Sequence, residues 1–518
     1  MITLYLNGDV LTMDEAATRV NAFAVSGGRF LAVGENALQY ASGGEVVDLA
    51  GRTVVPGLID AHTHLETSAV AASKWVDVRD LPLDRVLAKL EAFTRAAELD
   101  DAEWIVGQGT FGQESALPRR EILDKICPDR PLILRASMHA CSANTRALER
   151  AGLMSTRHSP VGSKVMRDDD GLPTGQLLEA FHLFPVPSPA VDDLADMIEG
   201  HVREHFSRYG VTTIYEVPMS SEGIRAFQHL EREGRLHSRI SLNPAIKPGL
   251  QPLLDDIEHW AGMGLTSGFG SSMLWLGAAK YFLDGAGEAA LQLRDPERPS
   301  TWGAQTHLYE DLVRSAVVGY RSGIQLWIHA IGETAQRFAI DAILEAQRVN
   351  GGDSGLKMRI EHLGCEFPVP EEMRADLRRG NIIPVPTAAF MHFLGPHSAF
   401  PYRTLIGEGF KPPGNSDTAG AQPFASNPWF GIERMVKRTN RLGEAFDPTE
   451  SVDVYTGLRT YTEFAANAGQ RGHELGIIRV GALADFAVLN QDPLALDADL
   501  ATVESLLTVV GGRVVWEA

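Results

Sequence analysis

Short runs that alternate apolar and polar residues open the chain: ITLYLNGDVLTM, AFAVSGGRFLAVG and EVVDLAGRTVVP within residues 1–56. A period of two predicts half-buried β-strands, and Gly27-Gly28 between two such runs predicts a hairpin. The same texture returns at the other end in ADFAVLNQ and LLTVVGGRVVWEA, where Gly511-Gly512 marks a second hairpin. Residues 1–56 and 471–518 are therefore expected to build one small β domain around a mixed centre.

From residue 57 to 470 the pattern changes. Apolar segments LIDAHTH, PLILRASMH, VTTIYEV, RISLNPAI, LGAAKYFLD, IQLWIHAI, KMRIEHLG and NIIPVPTA alternate with helical stretches. Among the latter are LDRVLAKLEAFTRAAELD, AVDDLADMIEGHVREHFSRYG, LYEDLVRSAVVGYRSG and TAQRFAIDAILEAQRVNG. Strand–helix alternation over this length predicts an α/β fold with a parallel sheet, closed as a β/α barrel. An open doubly wound sheet is the alternative, but no GxGxxG loop follows an early strand. Residues 68–205 are too many for one connection and read as an insertion after the first barrel strand.

A length of 518 residues suits two to four structural units. The formal charge of −20 argues against nucleic acid or an anionic membrane as partner. No apolar segment reaches transmembrane length, and no basic region followed by an apolar stretch marks a signal peptide. Cys127, Cys141 and Cys365 are unclustered and odd in number, which fits a cytoplasmic location and buried, inert thiols.

Chemistry-bearing residues collect at the ends of the predicted strands, where a β/α barrel places its site. His62 and His64 end LIDAHTH on one face, the start of a chelating metal site. Lys280 sits among apolar residues in LGAAKYFLD, His329 ends IQLWIHAI, His362 ends KMRIEHLG, and Asp417 lies in PGNSDTAG. Four imidazoles and a carboxylate suit zinc or a similar divalent ion, with manganese, cobalt or iron accepted by the same donors. A buried Lys280 needs a partner or neutralisation, whereas a surface ammonium needs neither.

This arrangement resembles the amidohydrolase superfamily, in its YtcJ-like branch (amidohydrolase family 3). The resemblance runs nearly end to end, through GRTVVPGLIDAHTHL, PRREILDKICPDRPLILRASMHACSANTRALERAGL, GLPTGQLLEA, GVTTIYEV, AAKYFLDGAG, IHAIGETA, RIEHLG, SNPWFGI and VGALADFAVLNQDP. It implies a distorted (β/α)8 TIM barrel over 57–470 and a small β-sandwich from both termini. It implies that His62 and His64 bind one metal and His329 and His362 its neighbour. Lys280 falls where family members carry an N-carboxylated lysine bridging two metals, so one or two ions are expected. Asp417 corresponds to the aspartate that touches metal and handles the proton, although GNSDTAG departs from the usual GSD followed by a proline turn.

The implied activity is hydrolysis of an amide, cyclic amide or other C–N bond of a small molecule by a metal-activated hydroxide. A deaminase or isomerase on the same barrel is the alternative, and a non-catalytic binding or regulatory protein is the reading from another class. Homodimers are common in the superfamily. His139 and Glu179 match recurrent family positions in the insertion and are candidates to face substrate. Asp284 either positions the modified lysine or caps a turn. Gln113 and Trp104 are further pocket candidates, with buried packing the better reading for Trp104. His392 and His397 lie in a loop after a barrel strand and are candidates for substrate contact. His201-Val-Arg-Glu204-His205 matches HxxEH, but its helix draws its core face with Leu194, Ile198, Val202 and Phe206 instead.

Overall fold

A computed structural model of the chain describes residues 1–96, 103–110, 117–248, 256–292, 303–352 and 354–518. Both termini enter one continuous eight-stranded sheet. Its strands run in the order Arg513–Glu517, Ser505–Val510, Phe486–Leu489, Thr53–Pro56, Ile2–Leu11, Arg19–Ser26 and Arg29–Val33, with Glu45–Asp48 also paired to Ile2–Leu11. The ends meet where Val488 pairs with Val54 and Phe486 with Pro56. Both glycine pairs form the expected hairpins, with φ of 59° and 75° at Gly27-Gly28 and 57° and 76° at Gly511-Gly512. Tyr5, Phe23, Phe30 and Phe486 fill one face with stacked and edge-on rings, burying the apolar half of each alternating run.

The chain leaves this sheet at Pro56-Gly57. A β-carbon on Gly57 would stand 2.0 Å from Thr212 Oγ1 and 2.7 Å from its Cβ, so the Thr212 side chain packs where a larger residue would need room and the position requires glycine. Beyond it, parallel strands fall into two runs. The first is Leu58–Thr63, Val211–Glu216, Arg239–Leu242 and Leu274–Leu276; the second is Ala245–Ile246, Ala278–Phe282, Gln325–His329, Arg359–Glu361 and Ile383–Val385. The third and fourth strand segments pass from one run to the other, since 239–242 continues into 245–246 and 274–276 into 278–282. Residues 414–418 lie along the first strand, through Ala61 N to Gly414 O, Asp417 N to His62 O and His64 N to Thr418 O. Asn415 Nδ2 donates to Pro386 O, which ties the same segment to the end of the last strand. Asp417 is thereby held against His62 by main chain.

The helices between strands bury the stripe that their sequence draws. In Glu333–Val349 the buried positions Ala335, Ala339, Ile340, Ile343 and Ala346 recur at three- and four-residue steps and pack on Leu326, Ile328 and Ile360. Tyr309–Ser322 and Val191–His205 fall within the stretches predicted helical.

Within the expected insertion, residues 76–178 carry a separate six-stranded mixed sheet. PLILRASMH supplies one of its strands, Leu132–Arg135, and takes no part in the parallel runs. Helix Leu65–Lys74 before this sheet and Val191–His205 after it pack against each other, and Val191–His205 also packs on Ser221–Arg232. All three cysteines are buried and unpaired. Burial raises the Cys141 thiol to about 12 and moves Cys365 further the same way, so neither is a reactive thiolate. Among the described residues no helix is long and apolar enough to cross a membrane.

Candidate metal centre

The six residues expected to act together do converge. His62 lies in Leu58–Thr63, while His64 is the residue from which helix Leu65–Lys74 starts. The expected strand therefore stops one residue early, yet the two rings stay 5.6 Å apart. Asp417 reaches both: its Oδ1 is 3.5 Å from His62 Nε2 and 3.3 Å from His64 Nε2. Donor atoms of these three buried residues all lie within 4.8 Å of one another. His362 Nε2 stands 3.7 Å from Asp417 Oδ2, and the His329 ring is 4.8 Å from that of His362. Lys280 is fully buried, with Nζ 3.1 Å from His62 Nε2 and 4.9 Å from the Phe282 ring centroid.

The backbone is bent to make this arrangement. His362 and Asp417 both adopt left-handed conformations, at φ 65° and 45°, as does Glu179 at 52°. Residues without the freedom of glycine rarely do so, and such positions gather at functional sites.

Electrostatics favour a bound cation. Burial holds His62, His329 and His362 well below the ordinary histidine pKa and lowers His64 as well, so all four are neutral donors. Burial would raise the Asp417 carboxyl, but His62, His64 and Lys280 outweigh it and hold the group ionised. Burial also lowers Lys280, to about 8. Among the described residues, His329 Nε2 and Asp417 Oδ1 are buried at the centre without a hydrogen-bond partner. Leaving such atoms unpaired is costly, and a divalent ion satisfies both at once. The residues present therefore fit a metal.

Several supporting groups escaped the sequence reading. Glu361 Oε2 sits 2.6 Å from His62 Nδ1, and Arg359 donates to both Glu361 oxygens at 2.8 and 2.9 Å while its guanidinium stacks 3.6 Å from the Trp327 ring. Asp60 Oδ1 accepts from the amides of His62 and Ser416, and burial raises its pKa to about 7. Glu216 accepts from the amides of Leu65 and Glu66, fixing the helix that begins at His64. The available signal was a charged residue inside an apolar strand, which must find a partner when buried.

The secondary candidates separate. His139 Nδ1 meets Glu179 Oε1 at 2.7 Å, and the His139 ring lies 5.6 Å from that of His329. Lys247, absent from the sequence reading, grips Glu179 Oε2 at 3.1 Å. The oxygens of Asp284 accept from the amides of Leu291, Ile331 and Gly332, so it organises a turn, the second of its two expected roles. It also lies 3.6 Å from His329 through Oδ1. His392 is half-buried among Phe393, Phe424 and Phe430, and His397 is exposed. Trp104 packs beside Phe184, and Gln113 lies outside the described residues. His201 and His205 stack 4.3 Å apart and, among the described residues, have no third metal donor within reach.

The chain is similar to known proteins over nearly its whole length. A model of the amidohydrolase family matches residues 45–516. The putative amidohydrolase YtcJ of Bacillus subtilis is 27% identical over 561 aligned positions that span all of both chains. The N-substituted formamide deformylase of Arthrobacter pascens is 28% identical, covering 99% of this chain and 98% of its own. Among solved structures, an uncharacterized metal-dependent hydrolase from Pyrococcus horikoshii superposes with a TM-score of 0.74 over 97% of this chain and 99% of its own, at 22% identity, and so shares the fold. With a family match over nearly the whole length, this chain belongs to the amidohydrolase family.

Proposed function

We propose that the protein is a metal-dependent hydrolase of an amide, cyclic amide or related C–N bond. The observation that carries this reading is the buried convergence of four neutral imidazoles, Lys280 and an ionised Asp417, in which Asp417 Oδ1 and His329 Nε2 make no hydrogen bond among the described residues. The names of the relatives, an amidohydrolase and a formamide deformylase, point the same way. On this reading the two parallel runs are one distorted (β/α)8 barrel over residues 57–470, completed by the segment 414–418. The terminal sheet, 1–56 with 471–518, is the accompanying β-sandwich domain.

His62, His64, His329, His362 and Asp417 would hold one or two divalent ions, zinc being the natural choice for this donor set. Lys280, N-carboxylated, would join them as an anionic ligand. Bound there, a divalent ion supplies Lewis acidity that lowers the pKa of water toward neutrality. Asp417, ionised and beside His62 and His64, accepts the proton of the attacking water and returns it to the leaving nitrogen. A C–O bond forms, the C–N bond breaks, and the proton from water ends on nitrogen. Glu361, clamped by Arg359, fixes the His62 ring through Nδ1 so that Nε2 faces the centre.

Purified protein loaded with zinc or manganese and offered N-formyl amines, N-acetyl amines and cyclic amides tests the reading. Release of free amine by the wild type and its loss in Asp417→Asn support it. No turnover of any of them by fully loaded protein overturns it.

A further inference from the structure

The insertion reaches the centre through His139 and its neighbours. His139 follows the inserted strand Leu132–Arg135, and Glu179 follows Pro173–Leu178. Their main chains are joined by Glu179 N donating to His139 O at 2.7 Å, and their side chains by Nδ1 and Oε1 at the same distance. The other carboxylate oxygen is held by Lys247, the residue after the parallel strand Ala245–Ile246. Gly285, three residues beyond Phe282, comes so close that a β-carbon would stand 2.3 Å from Glu179 Oε1. Glu179 is thus a bolt: one oxygen fixes a ring of the insertion, the other a cation of the parallel sheet, and a glycine makes room for it.

The ring so fixed faces the metal centre. His139 lines a small opening together with Asp417, Phe390, Met138 and Ala419. Its Nδ1 is committed to Glu179, so Nε2 is the nitrogen left for whatever enters. We propose that His139 is a catalytic residue supplied by the insertion, its Nε2 hydrogen-bonding the scissile amide beside Asp417, with Glu179 and Lys247 as its positioning residues. An amide offers both an acceptor oxygen and a donor N–H, so the contact is available to either form of the ring. The inference rests on the C–N hydrolase reading and adds to it that the insertion is part of the active site.

Two isosteres separate this role from a merely structural one. The amide of His139→Gln reaches the place of Nε2, whereas that of His139→Asn reaches only the place of Nδ1. Kinetics on an N-acyl amine hydrolysed by the metal-loaded wild type, with metal content measured alongside, decide between them. The expected result is a loss of about 100-fold in kcat/KM for His139→Asn and a smaller loss for His139→Gln, with metal content unchanged in both. Glu179→Gln, which keeps size and loses charge, is expected to lower kcat about tenfold with KM little changed, since it loosens a ring that acts as the bond breaks. If His139→Asn equals or exceeds His139→Gln, the ring serves only to hold Glu179 and the proposal is overturned. Loss of metal in these variants, or kcat/KM within threefold of wild type in all three, overturns it as well while leaving the hydrolase reading standing. Absence of turnover in the wild type removes both.

Discussion

His62 Nδ1 and Glu361 Oε2 lie 2.6 Å apart although 299 positions separate them in the chain. Both are fully buried, and Arg359 holds the carboxylate from the other side. A histidine whose far nitrogen is engaged in this way presents the near one in a fixed direction, the usual support for a metal ligand.

Glu361→Gln is therefore expected to weaken metal binding about 10- to 100-fold without abolishing it. Competition with a chromophoric chelator measures this. An unchanged affinity shows that the His62 ring needs no such support.

Lys280 gives a spectroscopic prediction. Burial lowers its pKa to about 8, so near neutrality an appreciable share is the neutral amine that attacks CO2, forming a carbamate and releasing one proton. Protein reconstituted with metal and 13C-bicarbonate should show a carbamate carbon by NMR that is missing in Lys280→Met. A spectrum lacking that carbon argues for a single-metal centre with an unmodified lysine.

His201 sets part of the acid sensitivity of the fold. Burial, aided by His205 and Arg79, lowers its pKa from 6.5 to about 3, so the unfolded chain takes up this proton first. Its contribution to stability is complete above pH 6.5 and is lost as pH falls from there toward 3. Between pH 6.5 and 5 the loss is about 2 kcal/mol, from a slope of about 1.4 kcal/mol per pH unit. Urea unfolding at the two pH values should show this difference reduced in His201→Leu, and an equal difference in both proteins contradicts it.

Gly57→Ala tests the junction between the terminal sheet and the first parallel strand. The new methyl would collide with Thr212 Oγ1, and overpacking of this kind costs about 1–3 kcal/mol. Thr212→Ala in the same chain should return part of that loss in chemical unfolding. No loss in Gly57→Ala alone shows that the Thr212 side chain moves aside readily.

How much of this was legible in the sequence follows from where each residue acts. His62, His64, His329 and His362 stand at or just past strand ends, and periodicity finds strand ends, so the metal donors could be read in order along the chain. Asp417 was picked out by its place near the last barrel segment and given its role by resemblance to a family motif, although the segment around it is not a regular strand. Glu361 stood in plain sight beside His362, but its partner is fixed by two strands meeting across the fold. Lys247, and its pairing with the candidate Glu179, were opaque for the same reason: a pair 68 residues apart, one on the insertion and one on the parallel sheet, leaves no local pattern. Asp284 offered two roles, and only the positions of the Leu291, Ile331 and Gly332 amides assign it to the turn.

The most direct test of the central claim is the metal content of gently purified protein beside that of His62→Ala and Asp417→Ala variants. One to two equivalents of a first-row divalent ion are expected in the wild type, with a clear drop in both variants at unchanged fold. Less than about half an equivalent in the wild type after incubation with zinc, or equal content in all three proteins, would contradict it.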